Sequence, residues 1–279
     1  MVDIVPAHPD DEARLARAPW LVSTTSPRAF PGTVMNRREA LTTLAVLMPA
    51  VTSAAGGKPV TENEKPGPAT PGEPPKPGSH SIAQLPFNPA KLKGLSERLL
   101  RSHHENNYGS AVKNLNKVEE ELARVGKDTP GFLVGGLKER ELTFTNSMIL
   151  HEHYFGNLGG DGKASGAIEK ALAREHGSFG RWEELFRAMG TSLSGGSGWA
   201  ILDFNLHTGQ LRSYWSGNHN QAVAFGMPLL VMDMYEHAYA IDYGAAATKY
   251  IDAFFQNLQW DEVNRRFERA QKLYAALKA

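Results

Sequence analysis

From Leu92 to Val125 the apolar residues fall at mainly helical spacings. Leu95, Leu99, Leu100, Val112, Leu115, Val118 and Leu122 recur with charged residues between them, and the spacing predicts a helix over 92–125. Thr129-Pro130-Gly131 marks its break. Further helices are predicted over 138–157, 165–175 and 181–193, the last with Ser178 as its cap. The pattern then changes. Trp199 to Phe204 and Leu211 to Trp215 are short, apolar-rich and joined through His207-Thr208-Gly209, and they read as a strand pair. Leu229 to Met232 is a third strand, ending at Asp233. Two helices, 243–258 and 261–277, close the chain. Helices, a small sheet and helices again predict an α+β fold.

The chain ahead of this is built differently. Met35-Asn36-Arg37-Arg38 precedes an apolar run from Ala40 to Val51, and the small residues Thr52 to Gly56 follow. A basic start, a short apolar stretch and a small-residue end are the parts of a secretory signal. The run is too short to span a membrane. The adjacent arginines point to the twin-arginine route, and so to a periplasmic or extracellular protein. The other reading is a short buried helix behind two arginines; the linker that follows at once favours the signal. Met35 is a candidate initiator, and residues 1–57 are expected to be an N-terminal extension and signal segment. Residues 58–84 hold Pro59, Pro66, Pro68, Pro71, Pro74, Pro75 and Pro77 among Gly, Glu, Lys and Thr. Such a stretch cannot bury enough apolar area to offset the entropy of ordering it, so it is expected to be a flexible tether.

Composition narrows the chemistry. At 279 residues, 41% of them hydrophobic, the chain is long enough for a substantial core. Thirty basic and 30 acidic side chains cancel, so no basic field exists to hold nucleic acid. Cysteine is absent, so any metal must be bound by nitrogen and oxygen, and ten histidines are the supply.

Three places offer such donors. Asp233-Met-Tyr-Glu-His237 sets a carboxylate and an imidazole just after a strand, where a rigid sheet can hold them. His103-His104 and His151-Glu152-His153 lie within two separate predicted helices. Alone, each pair is more often solvated than ligating. Together, three imidazoles and one carboxylate make a site suited to iron or manganese, and one that zinc could also occupy. Such a set leaves room for a solvent ligand or substrate.

The order of motifs resembles the iron/manganese superoxide dismutases. Pro86 to Asn116 is similar to that family's opening, down to Lys113-Asn-Leu-Asn116. His151-Glu-His-Tyr-Phe-Gly-Asn-Leu158 resembles its His-x-x-Phe-Trp-x-x-Leu block. Gly177-Ser-Phe179, Gly196-Ser-Gly-Trp199, Asp233-Met-Tyr-Glu-His-Ala-Tyr239 and Tyr250 to Val263 follow in the family's order. Several blocks in fixed order are far stronger than one motif. The resemblance implies a helical N-terminal domain over 85–160, formed by a helical hairpin. A C-terminal domain over 161–279 would follow, with a three-stranded antiparallel sheet and flanking helices. It implies one iron or manganese ion per subunit, held by His103, His151, Asp233 and His237, with superoxide as substrate. It also implies a homodimer in which Glu236 bonds the neighbouring subunit's His237.

The residues around those ligands depart from the family's usual pattern. The side chain that fixes the solvent ligand, usually Gln, falls on His219 in the manganese-type position and on Ser147 in the iron-type position. His219 is therefore the expected catalytic residue, since an imidazole can donate to or accept from bound solvent. The gateway tyrosine falls on Ala111, with Tyr108 one turn before it and expected to pack. The histidine four residues after the first ligand falls on Asn107, and its tyrosine partner across the dimer on Ala240. Tyr235 and Ile201 stand where tryptophans are usual, while Trp199 is kept. A wider entrance with fewer proton donors is expected. The alternative function is a weakly active or inactive metal-binding homologue acting as a scaffold or metal store.

Overall fold

In the computed structural model, which describes residues 76–279, the first long helical stretch begins where its sequence caps it. The Ser96 hydroxyl accepts the Leu99 N–H at 3.1 Å, a standard N-cap bond. Helix α1 runs Glu97–Ser102, a π-helical turn covers His103–Tyr108, and α2 continues Gly109–Leu122. The predicted helix over 92–125 is therefore shorter at both ends and carries a widened turn at the histidines. Single-turn π insertions concentrate at functional sites, and this one lies on the His103 segment. The next helix, α3, spans Gly131–Gly156, starting seven residues before the expected 138. Gly131, Gly135 and Gly136 weaken the local signal there, and antiparallel pairing with α2 supplies what the local sequence lacks.

Leu99, Leu100, Val112, Leu115, Leu150 and Tyr154 interlock as the core of this helical hairpin. Helices α4 (Gly166–His176) and α5 (Phe179–Thr191) follow. Gly177 ends α4 at φ +85°, a left-handed C-cap that glycine adopts without strain. Ser178 then caps α5 as expected, accepting the Arg181 N–H at 3.1 Å.

The sheet holds β1 (Trp199–Asn205), β2 (Gln210–Ser216) and β3 (Gly226–Asp233), all antiparallel in the order β2-β1-β3. Every residue of β1 is buried, as befits the central strand. Trp199 pairs with Ser216 on one side and Asp233 on the other. The third strand is longer than predicted because Gly226, Met227 and Pro228 join it through an irregular register near Asp203. The predicted helix over 243–258 is shorter, α7 (Ala247–Gln256), and a brief α6 (Ala240–Tyr243) precedes it. Gly244, at φ +54°, makes the break. The last helix, α8, covers Trp260–Lys278.

Two buried asparagines tie these parts together. Asn157, just past α3, accepts the Val231 N–H at 3.0 Å and donates to Leu229 O at 3.2 Å. Asn257 accepts from Lys93 N at 2.8 Å and donates to Lys93 O at 2.7 Å. Each supplies hydrogen bonds to backbone groups of a distant segment.

The last part of the expected linker is fastened down. Gly78 N–H donates to Glu119 Oε2 at 2.8 Å, and His80 and Asn116 exchange two bonds at 2.9 Å. Ala83 N–H donates to the Tyr108 hydroxyl at 2.8 Å. Polar groups on α2 and the π turn thus order residues that composition alone assigns to a tether. The signal segment over 35–56 and the linker's earlier part lie outside the described residues. Among the described residues no helix is long and apolar enough to cross a membrane.

Candidate metal centre

Four side chains converge between the helical hairpin and the end of β3. His103 comes from the π turn, His151 from α3, Asp233 from the last position of β3, and His237 from a short turn of helix over Glu236–Ala238. One donor atom from each lies within 4.8 Å of every other. Asp233 Oδ2 sits 3.1 Å from His103 Nε2, 3.2 Å from His237 Nε2 and 3.6 Å from His151 Nε2. Nitrogen and oxygen ligands about 2.0–2.2 Å from one ion lie roughly 3–4 Å apart, so these distances suit a single metal.

The surrounding bonds set each donor's state. His151 Nδ1 donates to Ser147 O at 2.6 Å, so that nitrogen carries the ring proton and Nε2 presents a lone pair. That Nε2 is buried and has no hydrogen-bond partner. A buried acceptor left bare is costly unless something binds it, and a metal is the partner this donor set fits. Burial, reinforced by His103, holds the His151 imidazole down to about 3, so it stays neutral and able to ligate. Burial likewise lowers His103. Its Nδ1 has no partner either, and nothing in the surrounding contacts accounts for that. Burial alone would raise Asp233. The charge of His237 and contacts from His103 and His237 outweigh it and hold the carboxyl below the ordinary range.

Asp233 is also fixed from behind. Tyr235 N–H donates to its Oδ1 at 2.9 Å, and the buried Tyr250 hydroxyl donates to its carbonyl at 2.6 Å. Tyr250 begins a motif block, yet nothing in the sequence marks its bond to Asp233. Tyr235 stacks between two imidazoles, 4.8 Å from His219 and 5.3 Å from His237. A tyrosine is thus accommodated where the family's pattern has tryptophan.

His219 lies in the connection between β2 and β3. Its carbonyl accepts from Asn146 Nδ2 at 2.6 Å, and its Nδ1 accepts from Trp199 Nε1 at 3.0 Å. An accepting Nδ1 puts the ring proton of the neutral imidazole on Nε2. Burial lowers the ring's pKa and keeps it neutral. His219 then lines the same cavity as His151 and His237, with Nε2–H as its free donor. Asn146 lies outside the motif blocks. A lone Asn on a helix has no signal of its own, and only the fold brings it to the loop.

That cavity, of about 180 Å³, opens past Asn106, Asn107, Ser110, Ala111 and Asn114. Amides and a hydroxyl line the mouth where the family's tyrosine and histidine would stand. Tyr108 is buried away from it and donates to Glu152 Oε1 at 2.9 Å, so it packs as expected. Ser147 does line the cavity, but its closest link to the site is the backbone bond to His151. Glu236 and Ala240 are exposed in the single chain, and His237 is the one member of the four that is not fully buried. Arg212 is exposed on β2 and bonds Gln210 Oε1 at 2.9 Å.

An α+β chain whose three histidines and one aspartate gather around a single point belongs to the class of mononuclear metal proteins with nitrogen and oxygen ligands. Residues 164–266 match the family described as iron/manganese superoxide dismutases, C-terminal domain. An iron superoxide dismutase of Cupriavidus metallidurans is 48% identical over 192 residues, covering 68% of this chain and 98% of that protein. One of Aquifex aeolicus is 36% identical, with 69% and 93% covered. A manganese enzyme of Halobacterium salinarum is 32% identical, with 70% and 98% covered. The chain belongs to the iron/manganese superoxide dismutase family.

Proposed function

We propose that this chain dismutates superoxide at one iron or manganese ion held by His103, His151, Asp233 and His237. The observation that carries this is the convergence of four donors within 4.8 Å, one of them a buried imidazole nitrogen with no other partner. The family relationship supports the same reading. Iron or manganese at this site supplies one-electron chemistry, by which one superoxide is oxidised to oxygen and a second, with two protons, becomes hydrogen peroxide.

The chain's own residues do the rest. Ser147 O orients His151, while Tyr235 N–H and the Tyr250 hydroxyl hold Asp233. The carboxylate offsets part of the metal's positive charge. Trp199 orients His219 so that Nε2–H is offered to an oxygen species in the cavity. Asn107 and Ala111 leave the mouth open to a small anion without placing a titratable group there.

Metal analysis of the purified chain, combined with an assay of superoxide consumption, tests the reading. Close to one iron or manganese per chain and catalytic consumption are expected. Full metal content with no consumption would favour a scaffold or metal store. We extend the reading to a homodimer with Glu236 of each subunit at the other's His237. We also extend it to export directed by the segment from Met35 to about Gly56. N-terminal sequencing of protein recovered outside the cytoplasm tests the latter, and Arg37 and Arg38 retained there would count against a cleaved signal.

A further inference from the structure

The central strand carries an acid in its interior. Asp203 is fully buried, and neither of its carboxylate oxygens has a hydrogen-bond partner. An ionised carboxylate without donors is among the costliest groups to bury, and a neutral acid is far less so. Arg212 stands directly across on β2, but its guanidinium is exposed and bonds Gln210 instead. Among the described residues no cation pairs with Asp203. On the other side the ladder shifts between Leu202 and Asp203, and Pro228 is the register partner. Proline has no N–H to give.

The connection over 217–225 returns into β3 beside this carboxyl. A Cβ at Gly226 would collide with Asp203 Oδ2 and would meet Val223 O at 3.0 Å, so a larger residue there would have to displace the acid. Phe225, just before it, takes φ +60°, a left-handed conformation that is strained for a bulky residue. The connection thus ends in an unfavourable conformation as it enters β3, where Leu206 N–H donates to Phe225 O at 2.9 Å. It is also the segment that carries His219. Trp199, Ile201 and Asp203 alternate onto one face of β1. Trp199 grips His219 through its indole N–H, and Asp203 lies beside Gly226, the β3 residue into which the same connection runs.

The other groups around Asp203 do little to stabilise a charge. On β2, Arg212 favours the ionised form, yet burial dominates and pushes the Asp203 carboxyl up to about 7. Tyr214, also on β2, is itself pushed up to about 12, first by burial and then by Asp203, so it stays a neutral phenol. Gly226, Met227 and Pro228 of β3 carry no titratable group, and the connection has none but His219.

We propose that Asp203 is a proton-linked latch: as a neutral acid it seats the 217–225 connection on β1, and its ionisation loosens that connection and the His219 it carries. Only the consequence for turnover rests on the proposed role of His219. The carboxyl moves from an ordinary 3.8 to about 7 in the closed form. Between those values the closed form keeps a proton that an opened, solvated form gives up. Stability of the seat is therefore full below about pH 4, and opening becomes up to about tenfold easier per pH unit until about pH 7, where the effect levels off.

The test uses metal-loaded protein. Hydrogen-exchange protection of the amides over 217–226 is measured from about pH 5 to about pH 8, after correction for intrinsic exchange, in wild type and Asp203→Asn. Wild type is expected to lose protection by close to tenfold per unit up to about pH 7, and the variant, which cannot ionise, to show a flat profile. Equal slopes in the two proteins would overturn the latch. Infrared spectra of wild type labelled at aspartate give a second reading that survives a misfolded variant. A protonated-carboxyl band at about pH 5 that fades towards about pH 8 is expected. An aspartate already ionised at the lower pH, as with a bound cation, would also overturn it. Should the pH-dependent protection appear in protein that consumes no superoxide, the latch stands and the proposed function falls.

Discussion

At the scale of single residues, the orientation of His219 decides what the cavity can do. An imidazole at that position could present either nitrogen to the metal side. Trp199 removes the choice by donating to Nδ1 at 3.0 Å, which leaves Nε2–H as the free donor. His219→Ala should keep most of the metal, because none of the four converging donors is touched, while turnover falls by about 10- to 100-fold, the range seen when residues behind metal ligands are replaced. Trp199→Phe keeps an aromatic ring but deletes the indole N–H. A hydrogen bond worth about 1 kcal/mol corresponds to roughly fivefold in rate, so this variant should fall between wild type and His219→Ala. Steady-state rates normalised to metal content check the order. A Trp199→Phe enzyme with wild-type turnover would show that the indole bond does not position His219. Asp203 belongs to the same scale. It reads in the sequence as one polar letter in an apolar strand, and only the Gly226 contact and the absence of donors reveal its environment.

At the scale of elements, the π turn over His103–Tyr108 links the metal centre to the segment ahead of the first helix. It holds a metal-facing histidine at one end, and at the other Tyr108 accepts from Ala83 N–H and donates to Glu152. His104 adds a bond from Nε2 to Ala83 O at 2.8 Å. Tyr108→Phe removes both hydroxyl bonds and leaves a partly buried carboxyl unpaired, so it should destabilise the fold by about 1–3 kcal/mol in urea unfolding. A loss below about 0.5 kcal/mol would mean the N-terminal strap contributes nothing through this residue. The strap was illegible in the sequence because Gly78, His80 and Ala83 sit in a stretch whose local composition favours no structure. Their partners Glu119, Asn116 and Tyr108 lie 25 to 41 residues away. Elements with strong local signals were legible: the strand pair around His207-Thr208-Gly209, and the Ser178 cap. Boundaries failed where glycine or register intervened, as at Gly131, Gly226 and Gly244. The metal-facing residues were legible for a different reason. Short motifs name donor types and order, whereas the bonds that orient them, from Asn146, Ser147 O and Tyr250, appear only in the fold.

At the scale of the whole molecule, one side of the metal centre is unfinished in a single chain. Three of the four converging residues are fully buried, but the His237 side chain remains 25% exposed. Glu236 beside it is exposed, as are Ala240 and Ile241 on the next turn. A ligand imidazole is usually fixed in tautomer and shielded by a partner on its second nitrogen, and a carboxylate from a second copy would supply both. A twofold dimer would do so reciprocally, Glu236 of each subunit meeting His237 of the other. Asn107 and Ala240 lack the groups for the second bridge the family usually builds, so the acid–imidazole contact would have to join the two centres alone. A charge-assisted bond of that kind is worth about 1.5–3 kcal/mol, against about 1 kcal/mol for a neutral one. Losing it on both sides of a symmetric interface would cost about 3–6 kcal/mol, a drop of at least roughly 100-fold in dimer affinity. Glu236→Ala should therefore shift the protein towards monomer in sedimentation at micromolar concentration, and should speed metal loss to a chelator, because the freed imidazole of His237 can turn. Wild type that sediments as a monomer with full metal content would refute the dimer. A Glu236→Ala protein that stays dimeric and holds its metal would show that other contacts close this face.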